Sequence, residues 1–186
     1  MRILITGCAG FIGFHVCNVL LAEKKNKVLG IDNLNKFYDR NLKLSRLNIL
    51  KNKKNFFFKK IDLRKKEKLQ NFFDNHKPKI ILNLAAQAGV RYSIEHPEEY
   101  IDNNLVGFFN LIDLARNNKV KHFIYASTSS VYGDSKKFPT KEKENTNNPL
   151  SIYAATKKCN EIIAYSFSNI YKLPTTGLRF FTVYGP

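Results

Sequence analysis

LITGCAGFIG, residues Leu4 to Gly13, decides how the chain reads. Its first residues, continued back to Arg2 as RILIT, form a short apolar run without the three-to-four-residue spacing of a helix, and so read as a buried strand. Glycines follow at positions 7, 10 and 13, and from about Phe11 to Glu23 the pattern is that of an amphipathic helix. Strand, glycine turn and helix in that order bring a helix N-terminus, with its free N–H groups, to the end of a strand. Glycines there allow a tight turn and let a pyrophosphate approach the backbone. The spacing is G-x-x-G-x-x-G, so the second glycine comes one residue later than in G-x-G-x-x-G. Glycines in a loop otherwise mark only turns; the junction they occupy is what gives them meaning.

Outward from this loop, strand-like and helix-like stretches alternate. KVLGI (27–31) is the next strand and ends at Asp32, 19 residues beyond Gly13. An acid at that place accepts hydrogen bonds from ribose hydroxyls and repels a 2′-phosphate, which favours NAD over NADP as the ligand. A helical stretch covers about Tyr38 to Leu50, followed by strand NFFFKKI and a helix from about Arg64 to Asn75. KIILNLA is a fourth strand, a long helical pattern runs from about Pro97 to Asn118, and KHFIYAS is a fifth strand. A polar loop extends to about Asn148, then a helix from about Ser151 to Tyr171 leads to strand TTGLRFF. Alternating units of this kind predict an α/β fold, a Rossmann-like doubly wound parallel sheet covered on both faces. The chain stops at Pro186 after FFTVYGP, in the start of a loop, and reads as an interrupted sequence.

The bulk numbers set bounds. A chain of 186 residues with 44% hydrophobic and 13% aromatic residues is long enough and apolar enough for one globular domain. No apolar run approaches the ~20 residues that span a bilayer, so no membrane insertion is expected. The N-terminus reads directly into a strand without the regions of a secretory signal. Cys8, Cys17 and Cys159 form an odd, unpatterned set that suits a reducing compartment, and a cytoplasmic location is the expectation. Neither these cysteines nor the four histidines show metal-ligand spacing, so no metal site is expected. The net charge of +16 comes from 24 Lys and only 7 Arg, scattered through Lys/Asn-rich stretches such as KNKKNFFFKK. Arginine is the usual reader of bases and phosphates. The excess therefore reads as solvated lysine faces, with no nucleic-acid partner.

SIYAATKK (151–158) holds Tyr153 and Lys157 four residues apart, one above the other on a helix. With 9 Tyr and 24 Lys, chance alone supplies about one Y-x-x-x-K, and the chain has a second at Tyr132 and Lys136. Context separates them. Tyr132 is followed by Gly133 and Asp134 in a turn, so Lys136 does not share its face. Tyr153 lies in the first turn of a long helix, beside the C-terminal end of the fifth strand, where open α/β sheets bind ligands.

Together, the glycine loop, DL at Asp62 and Leu63, NLAAQAG, DNN at Asp102 to Asn104, STSSVYG and YAATK make the whole chain resemble the extended short-chain dehydrogenase/reductase family of nucleotide-sugar epimerases and dehydratases. GIDNLNKFYDRNLKLSRL, AAQAGVRYSIEHPEEYIDNNLVG, PLSIYAATKK and LPTTGLRFFTVYGP carry a closer likeness to its UDP-glucuronate 4-epimerase branch. The resemblance implies a Rossmann-like NAD-binding domain over residues 1–186, with the C-terminal substrate-binding part absent from this chain. It places Gly7, Gly10, Phe11, Ile12 and Gly13 at the pyrophosphate, Asp32 at the ribose, and Asp62 and Leu63 at the adenine. Ala85, Ala86 and Gln87 line the cofactor, with Asn103 nearby. Thr128, Tyr153 and Lys157 match a catalytic trio in which Tyr153 and Lys157 also touch NAD. Phe180 and Thr182 fall where nicotinamide and sugar meet, and Arg91 lies in a substrate-side loop facing an anionic group. A UDP-sugar is the implied substrate, and relatives pair the helices around 97–118 and 151–171 into a homodimer.

The implied reaction is inversion at C4 of a UDP-hexuronic acid through a 4-keto sugar, with NAD regenerated each cycle. A free tyrosine, pKa near ~10, is a poor base at neutral pH, and a nearby ammonium favours its phenolate; Lys157 is expected to supply one. Dehydratases of the family carry an Asp-Glu pair directly after the catalytic threonine, whereas Thr128 is followed by Ser129 and Ser130. UDP-galactose 4-epimerisation remains the nearest alternative, because a bidentate cation for a sugar carboxylate and most uridine contacts come in relatives after VYGP. A truncated NAD-binding remnant without turnover is the non-enzymatic alternative.

Overall fold

The computed structural model describes residues 1–136 and 139–185; Pro186, where the sequence reads as interrupted, lies outside them. Six strands, β1 (Arg2–Thr6), β2 (Lys27–Asp32), β3 (Phe56–Lys60), β4 (Ile80–Asn83), β5 (His122–Thr128) and β6 (Thr175–Phe180), form one sheet in the order β3-β2-β1-β4-β5-β6. All neighbouring pairs are parallel. Parallel neighbours need crossovers, and helices supply them. These are α1 (Phe11–Ala22), α2 (Arg40–Lys51), α3 (Lys66–His76), two single turns α4 (Tyr92–Glu95) and α5 (Pro97–Tyr100), α6 (Gly107–Asn117) and α7 (Ile152–Tyr171).

The inner strands β1, β2 and β4 are apolar on both faces because both faces are covered, while the edge strands β3 and β6 are partly exposed. Leu4, Leu29, Ile81 and Phe123 stand side by side on one face and meet Leu69, Phe73, Phe108 and Leu111 from α3 and α6. Ile3, Ile5 and Val28 point the other way, against Cys17, Leu21, Leu47 and Leu50 of α1 and α2. Cys8 and Cys17 are part of that second core, and burial pushes both thiols up, Cys17 to about 12. They pack as small apolar groups.

The doubly wound reading agrees with this architecture, and the six strands fall where the apolar runs predict them. Two features differ. Residues 92–95 form a helical turn where no helix was expected. The helix expected over about Pro97 to Asn118 is present but not uniform, since residues Ile101–Val106 form a π-helical turn between α5 and α6. Such a turn holds one residue more than an α-helical one. No helix among the described residues is long and apolar enough to cross a membrane.

Candidate active site

The chain switches direction across the sheet between β1 and β4, which opens a crevice beyond the strands' C-terminal ends. A cavity of about 700 Å³ fills it, within the range that takes a cofactor. Every strand contributes to its wall: Thr6 of β1, Asp32 of β2, Asp62 and Leu63 beyond β3, Ala85 to Gln87 beyond β4, Thr128 of β5 and Phe180 of β6.

The floor is the glycine loop. Gly7 donates its N–H to Ile31 O at 2.8 Å and takes a φ of +69°. A Cβ at Gly7 would lie 2.9 Å from Ala85 N, and one at Gly13 only 2.1 Å from Gly7 O. These two positions let β1, α1 and the segment after β4 converge to backbone contact. Gly10 caps α1 without a side chain, and Phe11, Ile12 and Gly13 line the cavity. The first-turn N–H groups of a helix have no partner within it, so this end of α1 offers donors to an anion. Asp32, 7% exposed, accepts from Ala9 N at 3.2 Å and Leu34 N at 2.8 Å. Its carboxylate has about four lone-pair sites, so acceptor capacity remains for a ligand.

Asn104, in the π-helical turn, holds the segment after β4. Its amide accepts from Gln87 N at 2.8 Å and donates to Gln87 O at 3.0 Å and Thr156 Oγ1 at 3.2 Å. Gln87 is thereby fixed on the cavity wall, 2% exposed, and among the described residues its own buried Nε2 has no hydrogen-bond partner of normal geometry. An orphan amide donor, a glycine cradle at a helix N-terminus and an acid at the end of β2 fit a dinucleotide such as NAD.

At the other end lie the reactive groups. Thr128 closes β5, and its hydroxyl accepts from Ser130 N at 3.2 Å, capping a 3-10 turn over Ser129–Tyr132. Ser151 caps α7 by accepting from Ala154 N at 3.1 Å, which sets Tyr153 in the first turn. Lys157, one turn on and 3% exposed, donates to Ala126 O of β5 at 2.9 Å. Burial pushes Lys157 down to about 8. Burial also pushes the Tyr153 phenol up, against a hydrogen bond with Thr128 that pulls it down. The expected lowering of Tyr153 by Lys157 is therefore not what this geometry produces: the lysine is itself desolvated and is bound to a carbonyl of β5. In the competing pair, Tyr132 ends the 3-10 turn, Gly133 follows at φ +63°, and the Tyr132 hydroxyl receives a hydrogen bond from Arg179.

The structure brings Gly7, Gly10, Phe11, Ile12, Gly13, Asp32, Asp62, Leu63, Ala85, Ala86, Gln87, Asn103, Thr128, Tyr153, Lys157 and Phe180 to this one cavity. Arg91 and Thr182 are exposed and outside its wall. Arg91 precedes α4, and Thr182 lies between Phe181 and Val183, which do line the cavity. Residues of the β2–α2 connection and of α2 that sequence reading left unassigned also line it, among them Asn33, Asn35, Phe37 and Tyr38 of the connection and Lys43 and Arg46 of the helix. Lys43 is 7% exposed and donates to Asn35 O at 3.1 Å; burial pushes it down, against the pull of Asp32. The one available signal was position, since they follow a strand that ends in the cavity.

Comparison with known proteins agrees with this fold. The chain is 50% identical over its whole length to Protein CapI of Staphylococcus aureus, of which it covers 55%. It is 47% identical over its whole length to a probable UDP-glucuronate 4-epimerase of Rhizobium meliloti (strain 1021), covering 54% of that protein. The crystal structure of the Bacillus cereus UDP-glucuronic acid 4-epimerase, in complex with UDP-glucuronic acid and NAD, superposes with a TM-score of 0.93 at 34% identity, over all of this chain and 58% of that one. The chain thus spans about half the length of the curated relatives it matches. Residues 4–186 match the family described as GDP-mannose 4,6 dehydratase, and the chain belongs to that family of dehydratases and NAD-dependent epimerases.

Proposed function

We propose that this chain carries the NAD-binding and proton-transfer part of a nucleotide-sugar 4-epimerase acting between UDP-glucuronate and UDP-galacturonate. The observation that carries the reading is the convergence of Thr128, Tyr153 and Lys157 at one end of a cavity whose other end has a glycine cradle and an acid. The hexuronate is supported by what the Rhizobium and Bacillus relatives are named for and bind. Dehydration is disfavoured by Ser129 and Ser130, which have no acid–base group to offer beside Thr128.

In this reading Gly7 and Gly10 to Gly13 hold the pyrophosphate and Asp32 the adenosine ribose. Asp62 and Leu63 flank the adenine, and Gln87, Asn103 and Phe180 lie toward the nicotinamide. When bound, NAD supplies a reversible hydride acceptor, and the redox chemistry is its own. Tyr153 takes the proton from the sugar's O4 and returns it. Thr128 hydrogen-bonds that oxygen or the phenol and so orients the transfer. Lys157 fixes the helix to β5 through Ala126 O and places a titratable ammonium beneath the tyrosine. A homodimer and a cytoplasmic setting complete the proposal.

The test uses the purified full-length protein, offered UDP-glucuronate and UDP-glucose separately. Tyr153→Phe should lose more than about a hundredfold in activity while retaining bound NAD. Near-normal epimerisation by that variant would sink the mechanism. Turnover of UDP-glucose alone would move the assignment to the galactose-type reaction, and stoichiometric NAD without any turnover would leave a binding protein.

A further inference from the structure

The β2–α2 connection, residues 33–39, forms a wall of the cavity that the reaction as derived does not use. It is pinned at both ends. Asp32 accepts from Leu34 N at 2.8 Å, the Asn33 side chain accepts from Asn35 N at 3.1 Å, and Leu34 takes a φ of +55°. At the far end Lys43 holds Asn35 O at 3.1 Å, and Asp39 caps α2 by accepting from Asn41 N at 2.8 Å. Between these pins Phe37 and Tyr38 face the cavity. The Phe37 ring meets Tyr38 edge-on at 4.8 Å and Tyr92 of α4 at 4.9 Å. Tyr92 in turn lies 6.3 Å from Tyr100, which meets Tyr153 edge-on at 6.1 Å. Aromatic contacts at such separations are favourable, so a run of rings joins the connection after β2 to the reactive tyrosine.

Tyr38 is 60% exposed, and among the described residues its hydroxyl has no hydrogen-bond partner. Tyr38 and Tyr153 line the same cavity. The groups assigned to the dinucleotide come mostly from the strand ends and α1, with Asn103 of the π-helical turn and Tyr153 and Lys157 of α7. Tyr38 approaches from the α2 side. A hydroxyl that Tyr153 deprotonates must lie within hydrogen-bond reach of it, so the sugar carrying that hydroxyl occupies the cavity that Tyr38 also lines.

We propose that Tyr38 is a further substrate-positioning residue, whose hydroxyl closes the reactive end of the cavity and hydrogen-bonds the sugar held against Tyr153. This rests on the nucleotide-sugar reading above. Tyr38→Phe keeps the ring that Phe37 packs on and removes only the hydroxyl. In the full-length, NAD-loaded protein it should raise KM for UDP-glucuronate by about three- to tenfold with kcat nearly unchanged, as expected for loss of one binding hydrogen bond. Bound NAD per chain should not change. Unaltered kinetics would overturn the inference, as would a parallel loss of bound NAD, which would assign the hydroxyl to the dinucleotide. Calorimetric titration with UDP-glucuronate separates this from the underlying reading. Sugar binding without turnover in the unsubstituted protein overturns the epimerase assignment alone, and weaker binding by Tyr38→Phe still supports the inference. Equal binding by the two proteins, or none by either, overturns it.

Discussion

At Gly13 the absence of one methyl group decides whether the site exists. The nearest atoms to a Cβ there are Gly7 O at 2.1 Å, Gly7 C at 2.9 Å and Cys8 Cα at 3.0 Å, all of them backbone. None is the end of a flexible side chain, so Gly13→Ala must drive α1 away from the loop. We expect a loss of about 1–3 kcal/mol in stability and at least about a tenfold loss of NAD affinity as the first-turn donors move off the pyrophosphate. Thermal melts and an NAD titration check both, and unchanged affinity would mean that the loop does not hold the phosphates. Residues of this kind were legible in the sequence because the backbone itself demands them, as did the helical spacing of Tyr153 and Lys157. Tyr38 and Lys43 were not legible. A tyrosine and a lysine in a polar connection look like solvated side chains until the fold brings that connection over the end of the sheet.

At the scale of elements, α7 joins the reactive groups to the sheet. Tyr153 and Lys157 occupy successive turns, and Glu161 lies one turn further. The Glu161 carboxylate accepts from Ser127 Oγ of β5 at 2.6 Å and from Arg179 of β6 at 2.8 and 2.9 Å. Arg179 also donates to Tyr132 at 3.1 Å and Glu142 O at 2.9 Å, so β5, β6, α7 and the turn after Thr128 meet at one ion pair. Burial pushes the Glu161 carboxyl up, but the hydrogen bonds from Arg179 and Ser127 and the charges of Arg179 and Lys158 outweigh it, leaving it below the usual range. A carboxyl depressed in the folded state stabilises above its unfolded pKa, ~4.3, and loses that contribution as pH falls through the lower folded value. Glu161→Gln should therefore cost about 1–3 kcal/mol at pH 7 and progressively less below about pH 4. A difference in melting that is the same at pH 7 and pH 3 would contradict the ion pair's role. Strands and long helices were legible here because apolar runs and 3.6-residue spacing report burial directly. The 3-10 turn after Thr128 and the helical turn at 92–95 are too short to show a period.

For the molecule as a whole, two cores on either side of one sheet explain how the inner strands stay apolar, and α6 and α7 carry exposed apolar side chains as well. Phe109, Ile162 and Ile170 are all exposed on these helices, and Phe109 packs on Phe167 of α7. Exposed apolar side chains on neighbouring helices suit an interaction surface, and a second copy of the same two helices would bury them. Sedimentation at micromolar concentration should show a dimer, and Ile162→Lys should shift it to monomer. Monomer alone in the unsubstituted protein would count against the pairing. The π-helical turn at Ile101–Val106 has a consequence of another kind. Its extra residue offsets α5 from α6 by about 100° of helical phase, and that offset is what turns Asn103 to the cavity and Asn104 to the loop after β4. Removing a single residue within this turn would leave both flanking helices continuous while rotating one wall of the cavity away from its contents. The reach of this wall thus depends on chain length: a one-residue insertion or deletion here re-shapes what the cavity accepts, with the sheet and its core left intact.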